Sequence, residues 1–166
     1  MGSGKSTLGK KLAGRLNLPF TDLDDYLQKQ EGKSIPEIFT NEGETRFREY
    51  ETHHLKSLCA LPNPHVFALG GGAVCFNDNM SLVKKSGTVI YLQLSAAAIA
   101  NRVKQNQESR PLLKDLKGES LLHYITQSLQ QREQFYLQAD LILQAIDLTA
   151  QQIEQHLLEN HTKNNH

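Results

Sequence analysis

The chain opens with residues whose types and spacing suit the binding of a phosphate chain. The pattern G-x-x-x-x-G-K-[ST] ends here in the run Gly2, Ser3, Gly4, Lys5, Ser6 and Thr7. Glycines let successive backbone N–H groups point at phosphate oxygens, and a helix that starts there adds the positive end of its dipole. In such a loop the lysine reaches the terminal phosphates of a nucleotide and the serine hydroxyl binds Mg²⁺. The run therefore predicts ATP binding, with Lys5 on the phosphates and Ser6 on Mg²⁺.

The alternative interpretation of this run is a Gly/Ser-rich terminus without function. The residues that follow argue against it, because Leu8, Leu12 and Leu16 recur at helical spacing and predict an amphipathic helix directly after the loop. The loop pattern is nevertheless incomplete. Its first glycine, and the strand that leads into such a loop, fall ahead of Met1. We therefore expect a natural start upstream of Met1 and a sheet that lacks its first strand.

Two sets of residues, one acidic and one of glycines, follow predicted strands. They lie at the edge where an open parallel sheet binds its ligands. Asp22 and Asp24 end a strand predicted at 18–22. One carboxylate would order a water bound to Mg²⁺, and the other would accept a hydrogen bond from a hydroxyl group. The alternative, for at least one of the two, is that it caps the next helix. The glycines Gly70, Gly71 and Gly72 follow a strand predicted at 66–69. They suit a close approach of backbone to ligand, or a plain turn.

Three arginines lie where they could bind anionic groups. Arg48 has Glu44 and Glu51 as helix neighbours, and taken alone this favours a surface salt-bridge network. Arg110 precedes a proline in a polar loop, where it would either close over a triphosphate or remain solvated. Arg132 lies on a mostly polar helix and could equally face solvent. Since arginine matches a carboxylate with two parallel hydrogen bonds, Arg48 and Arg132 together suit an acidic substrate.

The elements that must position these residues alternate between helix and strand. Helices are predicted over 5–16, 42–60, 96–103 and 119–138, with Ser95 as the cap of the third of these. A further helix is predicted to start at the capping box at 34–37. The last lies near the C-terminus, and its apolar side is formed by Leu148, Ile153, Leu157 and Leu158. Strands are predicted over 18–22, 66–69, 88–94 and 140–143. This alternation predicts an α/β fold in which helices cover both faces of a parallel sheet.

The composition fits one globular domain, 1–166. Lys and Arg number 18, as do Asp and Glu, so no global field favours nucleic acid or a membrane surface. Cys59 and Cys75 have no metal-like spacing and fit free thiols in a reducing compartment. We see no signal peptide and no long apolar run, and we therefore expect a cytoplasmic protein.

With these residues in place, the chain resembles the shikimate kinase family from Gly2 to about Leu143. The resemblance lies in seven stretches in the family's order and spacing: Gly-Ser-Gly-Lys-Ser-Thr at 2–7, Asp-Leu-Asp at 22–24, Ser-Ile-x-x-Ile-Phe at 34–39, Gly-Glu-x-x-Phe-Arg-x-x-Glu at 43–51, Gly-Gly-Gly-Ala-Val at 70–74, Arg-Pro-Leu-Leu at 110–113 and Arg-x-x-x-Tyr at 132–136. No single stretch is decisive, but the seven together are highly specific. They overturn the preference for a surface network at Arg48.

The resemblance implies a P-loop fold of three layers, α/β/α, with a parallel sheet in the order 2-3-1-4-5. It places the core at about 1–160, substrate-binding helices at about 23–60 and a lid at about 105–118. The absent first strand is the central one, so we expect the chain as given to have a gap between its third and fourth strands. The segment 144–147 also lacks a basic residue where relatives often contact adenine.

The resemblance also implies an activity, which is transfer of the γ-phosphoryl group of ATP to the 3-hydroxyl of shikimate in aromatic amino-acid synthesis. On the ATP side, residues 2–7 would hold the phosphates, Arg102 would lie against adenine and Arg110 in the lid would neutralise developing charge. On the substrate side, the implied residues are Asp24 as hydroxyl ligand and base, Arg48 and Arg132 on the carboxylate, and the glycines Gly70, Gly71 and Gly72 beside them. Asp22 would support Mg²⁺ through water, and a monomer is expected.

Two alternative functions remain open at this point. One is a related kinase for another small hydroxy acid, such as gluconate, although the Asp24, Arg48 and Arg132 set favours shikimate. The other is a nucleotide-binding module that lost catalysis together with its first strand. The presence of Asp24, Arg48 and Arg110 argues for a working enzyme.

Overall fold

The computed structural model describes residues 2–104 and 116–164. Four short strands are β1 (Phe20–Asp22), β2 (Val66–Ala68), β3 (Ile90–Gln93) and β4 (Leu141–Gln144). The helices in these ranges are α1 (Lys5–Leu16), α2 (Leu23–Glu31), α3 (Ile35–Asn41), α4 (Gly43–Cys59), α5 (Asn79–Ser86), α6 (Ala96–Lys104), α7 (Gly118–Tyr136) and α8 (Ala150–Asn164), with a 3₁₀ turn at Ala73–Cys75. The predicted alternation of helix and strand is confirmed.

Local signals in the sequence explain several of the boundaries. Ser34 caps α3 and shares a capping box with Glu37, and a proline occupies the first turn. The Ser95 hydroxyl accepts a hydrogen bond from the backbone N–H of Ala98 at the start of α6. Asn17 ends α1 in the left-handed conformation that asparagine tolerates. These caps and the left-handed residue fix where α1, α3 and α6 begin or end.

The sheet is divided into two parallel pairs. β1 pairs with β2, with Phe20 opposite Val66, and β3 pairs with β4, with Ile90 opposite Leu141. Within the described ranges no pairing joins β2 to β3. The predicted gap is therefore confirmed; it separates β2 and β3, which are the third and fourth strands when the absent strand is counted as the first.

Helices hold the two pairs together on both faces. On one face α1 and α8 form a cluster around Leu12 and Ile153 that reaches Val66 of β2 and Ile90 of β3. On the other face α4 and α5 pack around Leu55 and Met80 and reach Phe67 of β2. Both clusters cover the gap as well as the strands. The architecture is therefore the predicted three-layer α/β/α arrangement.

The gap between the pairs is a slot of about 710 Å³. Its lining includes backbone from β2 and β3 and a mainly apolar set of side chains: Leu12, Leu58, Met80, Leu94, Ile99 and Ile153. A slot of this size leaves the inner edges of the two strand pairs without the close apolar packing of a filled core.

The structure also corrects parts of the sequence interpretation. α5 was not predicted, three strands are shorter than predicted, and β4 has the predicted length but begins one residue later. Leu158, predicted on the buried side of α8, is 64% exposed. Most of the predicted lid, with Arg110, lies outside the described residues. Within residues 2–104 and 116–164, no helix is both long and apolar enough to span a bilayer.

The empty slot generates a prediction about stability. We expect the chain expressed from Met1 to be poorly folded, and to gain a cooperative thermal transition when five Val or Ile residues, one glycine and one further residue precede Met1. The apolar residues would fill the slot and pair with the open edges of β2 and β3 in the manner of a buried parallel strand. Circular dichroism melts of both proteins measure this.

A matched control carries an extension of the same length made of Ser and Gly. It supplies chain but little apolar surface, so its melt should resemble that of the unextended chain. A sharp two-state transition in the unextended chain, equal to that of the Val/Ile-extended one, would contradict the prediction.

Candidate active site

The phosphate loop has the expected conformation at the start of α1. Gly2 and Gly4 both adopt positive φ, 64° and 86°, which glycine takes without strain. A Cβ at Gly2 would lie 3.1 Å from the Val103 side chain, so the loop is packed against α6. Arg102 donates to the carbonyl oxygens of Ser3 and Ala145, both at 3.1 Å. The loop is thus positioned by α6 and by the residue that follows β4.

Ser6 and Asp22 are brought together although 16 residues separate them. The Ser6 hydroxyl donates to Asp22 Oδ2 at 2.5 Å, and Lys5 Nζ lies 4.0 Å from the same oxygen. The other oxygen of Asp22 accepts the backbone N–H of Asp24 at 3.1 Å, so Asp22 also caps α2. The helix-capping interpretation of this carboxylate is therefore confirmed, and its other oxygen accepts the Ser6 hydroxyl. Its position at the end of β1 allows one side chain to serve the helix and the loop.

Asp24 faces the glycine turn from the first turn of α2. A Cβ at Gly70 would lie 2.9 Å from Asp24 Oδ1, so this approach requires glycine. Burial raises the pKa of Asp24, and the negative charges of Asp22 and Asp25 act in the same direction, while Lys5 opposes them. A carboxyl with a raised pKa holds a proton more readily than an ordinary surface aspartate.

Arg48 is held by two acidic neighbours of unequal exposure. Its Nη1 lies 2.7 Å from Glu51, whose side chain is 2% exposed, and its Nη2 lies 3.0 Å from Glu44, which is 59% exposed. The Arg48 side chain is 13% exposed, so the surface network favoured by spacing alone is wrong for the pair with Glu51. A Cβ at Gly72 would lie 2.7 Å from Arg48 Nη1. The glycine is therefore needed for Arg48 to reach its position.

Glu51 is a site residue that the sequence interpretation missed. Burial raises its pKa; the positive charges of Arg48 and Arg132 lower it, and the negative charge of Asp24 raises it. Glu51 therefore lies in the field of all three side chains predicted to contact substrate. Its position three residues after Arg48 was visible in the sequence, but its burial was not.

Arg132 approaches the same turn from α7. Its positive charge acts on Glu51 and on the Cys75 thiol, whose pKa burial raises. One helical turn further on, Tyr136 donates its hydroxyl hydrogen bond to the carbonyl oxygen of Gly71. Phe76, just after the turn, lies with its ring centroid 4.3 Å from the Arg48 guanidinium carbon. Residues from α2, α4, the glycine turn and α7 thus converge beside the phosphate loop.

Two residues predicted to contact ATP, Arg102 and Arg110, are not part of the group around the glycine turn. Arg102 is engaged by two backbone carbonyls, as described above. Arg110 lies outside the described residues. Among residues 2–104 and 116–164, no group of three or more His, Cys, Asp or Glu side chains is arranged to hold a metal ion. Ser6 and Asp22 nevertheless offer adjacent oxygens of the kind that Mg²⁺ prefers.

Comparisons with known proteins converge on one family. A family model described as shikimate kinase matches residues 1–162. The shikimate kinase of Bacteroides thetaiotaomicron is 39% identical over 148 residues, which cover 89% of this chain and 84% of that protein. The shikimate kinase of Sulfurihydrogenibium sp. is 38% identical over 160 residues, which cover 95% and 91%.

Solved structures agree in fold. The crystal structure of the Bacteroides thetaiotaomicron shikimate kinase has a TM-score of 0.87 at 36% identity and covers 96% of this chain and 94% of that one. The Acinetobacter baumannii shikimate kinase in complex with shikimate has a TM-score of 0.86 at 32% identity and covers 99% and 89%. Both likenesses extend over nearly the whole chain.

The unequal exposure of the two Arg48 partners generates a prediction. Glu51→Gln should lower the free energy of unfolding by about 1–3 kcal/mol, because it leaves a buried guanidinium short of its charged partner. Glu44→Gln is the matched control, and it should change stability by about 0.5 kcal/mol or less because that pair is exposed. Urea titrations of the Val/Ile-extended chain measure both. Equal losses in the two variants would show that Arg48 does not depend on the buried carboxylate.

Proposed function

The chain belongs to the shikimate kinase family, and from this premise we propose that it transfers the γ-phosphoryl group of ATP to the 3-hydroxyl of shikimate. The observation that carries the proposal is the position of Arg48 against Gly72, where it is held by Glu51. The charges of Asp24 and Arg132 also act on Glu51. Two arginines and a carboxylate around one turn match a ligand that has one carboxylate and several hydroxyls. The phosphate loop lies next to them and would bind the second substrate, ATP.

On the ATP side, the backbone N–H groups of residues 2–7 and the N-terminus of α1 would bind the phosphate oxygens. Lys5, whose Nζ is 4.0 Å from Asp22, would reach the β- and γ-phosphates. Arg102 would border the adenine site while it keeps the loop joined to Ala145. Arg110 would neutralise charge on the transferring group from the lid.

Ser6 and Asp22 would hold the magnesium ion, Ser6 through its hydroxyl and Asp22 through a bound water. Their hydrogen bond of 2.5 Å supports this assignment because it places both oxygens at one point beside the loop. When bound, Mg²⁺ neutralises phosphate charge that develops during transfer. The residues present therefore fit the ion.

On the acceptor side, Arg48 and Arg132 would bind the shikimate carboxylate, with Gly70, Gly71 and Gly72 alongside. Asp24 would accept the proton of the 3-hydroxyl as that oxygen attacks the γ-phosphorus and ADP leaves in line. Its raised pKa supports this role, because a base closer to neutral pH accepts a proton more effectively. Closure of the lid would exclude water and so prevent hydrolysis of ATP.

The proposal includes the cellular setting. The enzyme would act as a monomer in the cytoplasm, in aromatic amino-acid synthesis, with ATP and shikimate as its partners. The balance of 18 basic and 18 acidic residues supports partners other than nucleic acid or membrane. Turnover of ATP with shikimate, compared with gluconate, by the Val/Ile-extended chain tests the substrate directly. Turnover with gluconate alone would overturn it.

The carboxylate clamp predicts an asymmetric effect on the two substrates. Arg48→Ala should raise the Michaelis constant for shikimate roughly 10- to 100-fold, because a charge-assisted hydrogen-bond pair is lost. The constant for ATP should change less than about twofold. The matched control is Arg46→Ala on the same helix, since Arg46 pairs at the surface with Glu49. Equal effects of Arg48→Ala on both substrates would refute the assigned role.

The raised pKa of Asp24 predicts the acid limb of the pH profile. Only the deprotonated carboxylate accepts a proton, so kcat/KM should fall as the pH falls through this pKa, above the usual aspartate value of about 4. Asp25→Asn removes a charge that raises this pKa and should move the limb to lower pH. Asp24→Asn should lower kcat by at least about 100-fold. A limb that stays in place in Asp24→Asn would assign it to another group.

A further inference from the structure

We infer that Tyr136 is a positioning residue for the acceptor site, and that its hydroxyl fixes the peptide between Gly71 and Gly72 relative to Arg132. The inference deepens the proposed function and rests on it. Tyr136 reaches the substrate site through the glycine turn and through Arg132, its neighbour on α7.

The hydrogen bond joins two segments that are 65 residues apart. Tyr136 lies at the last position of α7 and donates to the carbonyl oxygen of Gly71. The Cys75 thiol approaches the same oxygen at 3.8 Å, a longer and weaker contact. The phenol is therefore the stronger of the two donors on this carbonyl.

One peptide unit carries this constraint to the substrate site. In a trans peptide the C=O and the following N–H point in opposite directions, so fixing the Gly71 carbonyl also fixes the direction of the Gly72 N–H. Gly72 is the residue that packs directly against the Arg48 guanidinium. The hydroxyl of Tyr136 thus sets the orientation of a backbone donor beside Arg48.

The same side chain locates Arg132. The two residues are four positions apart in α7 and so lie on one side of the helix. The charge of Arg132 acts on Tyr136, whose pKa burial raises to about 12. The phenol therefore stays protonated, and remains a donor, at any pH used for an assay. Its contact with the turn fixes how far Arg132 lies from Arg48.

The ring of Tyr136 has a second, separable role. It packs on Tyr91 of β3 with ring centroids 4.9 Å apart and belongs to the cluster around Leu55 and Met80. Phenylalanine at position 136 would keep this packing and lose only the hydroxyl. The hydrogen bond and the packing are therefore testable one at a time.

The experiment compares Tyr136→Phe with Tyr91→Phe in the Val/Ile-extended chain. Tyr136→Phe should raise the Michaelis constant for shikimate roughly tenfold, the value of one buried hydrogen bond, and change that for ATP by less than about twofold. Tyr91→Phe removes a hydroxyl from the partner ring, and both constants should stay within about twofold of the unaltered protein. Thermal melts of the two variants should agree within a few degrees.

The outcomes separate this inference from the function beneath it. Suppose that the Val/Ile-extended chain phosphorylates shikimate and that Tyr136→Phe leaves its Michaelis constant for shikimate unchanged. This result would overturn the inference and leave the proposed function standing. Equal rises for shikimate and ATP, or the same rise in Tyr91→Phe, would also overturn it, since either result indicates general loosening. If the Val/Ile-extended chain without a substitution phosphorylates no shikimate, the proposed function fails and the inference fails with it.

Discussion

The close approach of charged side chains to a turn without side chains is the constraint on which the proposed acceptor site depends. Asp24 contacts the turn at Gly70 and Arg48 contacts it at Gly72, each at a distance that a Cβ would forbid. Glu51 then compensates the charge of Arg48 from a position that water barely reaches. Larger residues at the turn would push these groups apart, and their mutual attraction would no longer offset the cost of burying them.

The phosphate loop is held differently, because the strand expected before it is absent from the chain as given. Arg102 ties the carbonyl of Ser3 to that of Ala145, and Gly2 packs on Val103. These contacts come from α6 and from the end of β4, on one side of the slot. The helices above and below bridge the two strand pairs, so the loop and the acceptor site keep their relation across the gap.

Much of this arrangement could be predicted from the residues. The order of helices and strands, the cap at Ser34 and the divided sheet all follow from local pattern or from the family resemblance. The role of Glu51 could not, because a glutamate three residues from an arginine looks the same on an exposed helix as on a buried one. The helix α5 was also missed, since Asn79–Ser86 contains few apolar residues to mark its period. The predicted function of Arg110 remains a prediction.

The sequence by itself determined the phosphate loop, the succession of elements and the set of residue types that suit an acidic, hydroxylated substrate. Those features depend on neighbours within a few positions along the chain, where hydrogen bonding and periodicity act. Only the tertiary structure decided that Ser6 meets Asp22, that Glu51 is buried beside Arg48, and that Tyr136 donates to Gly71. The physical reason is that burial and long-range hydrogen bonds depend on which elements pack together. Local sequence patterns do not show contacts between residues 16 to 65 positions apart.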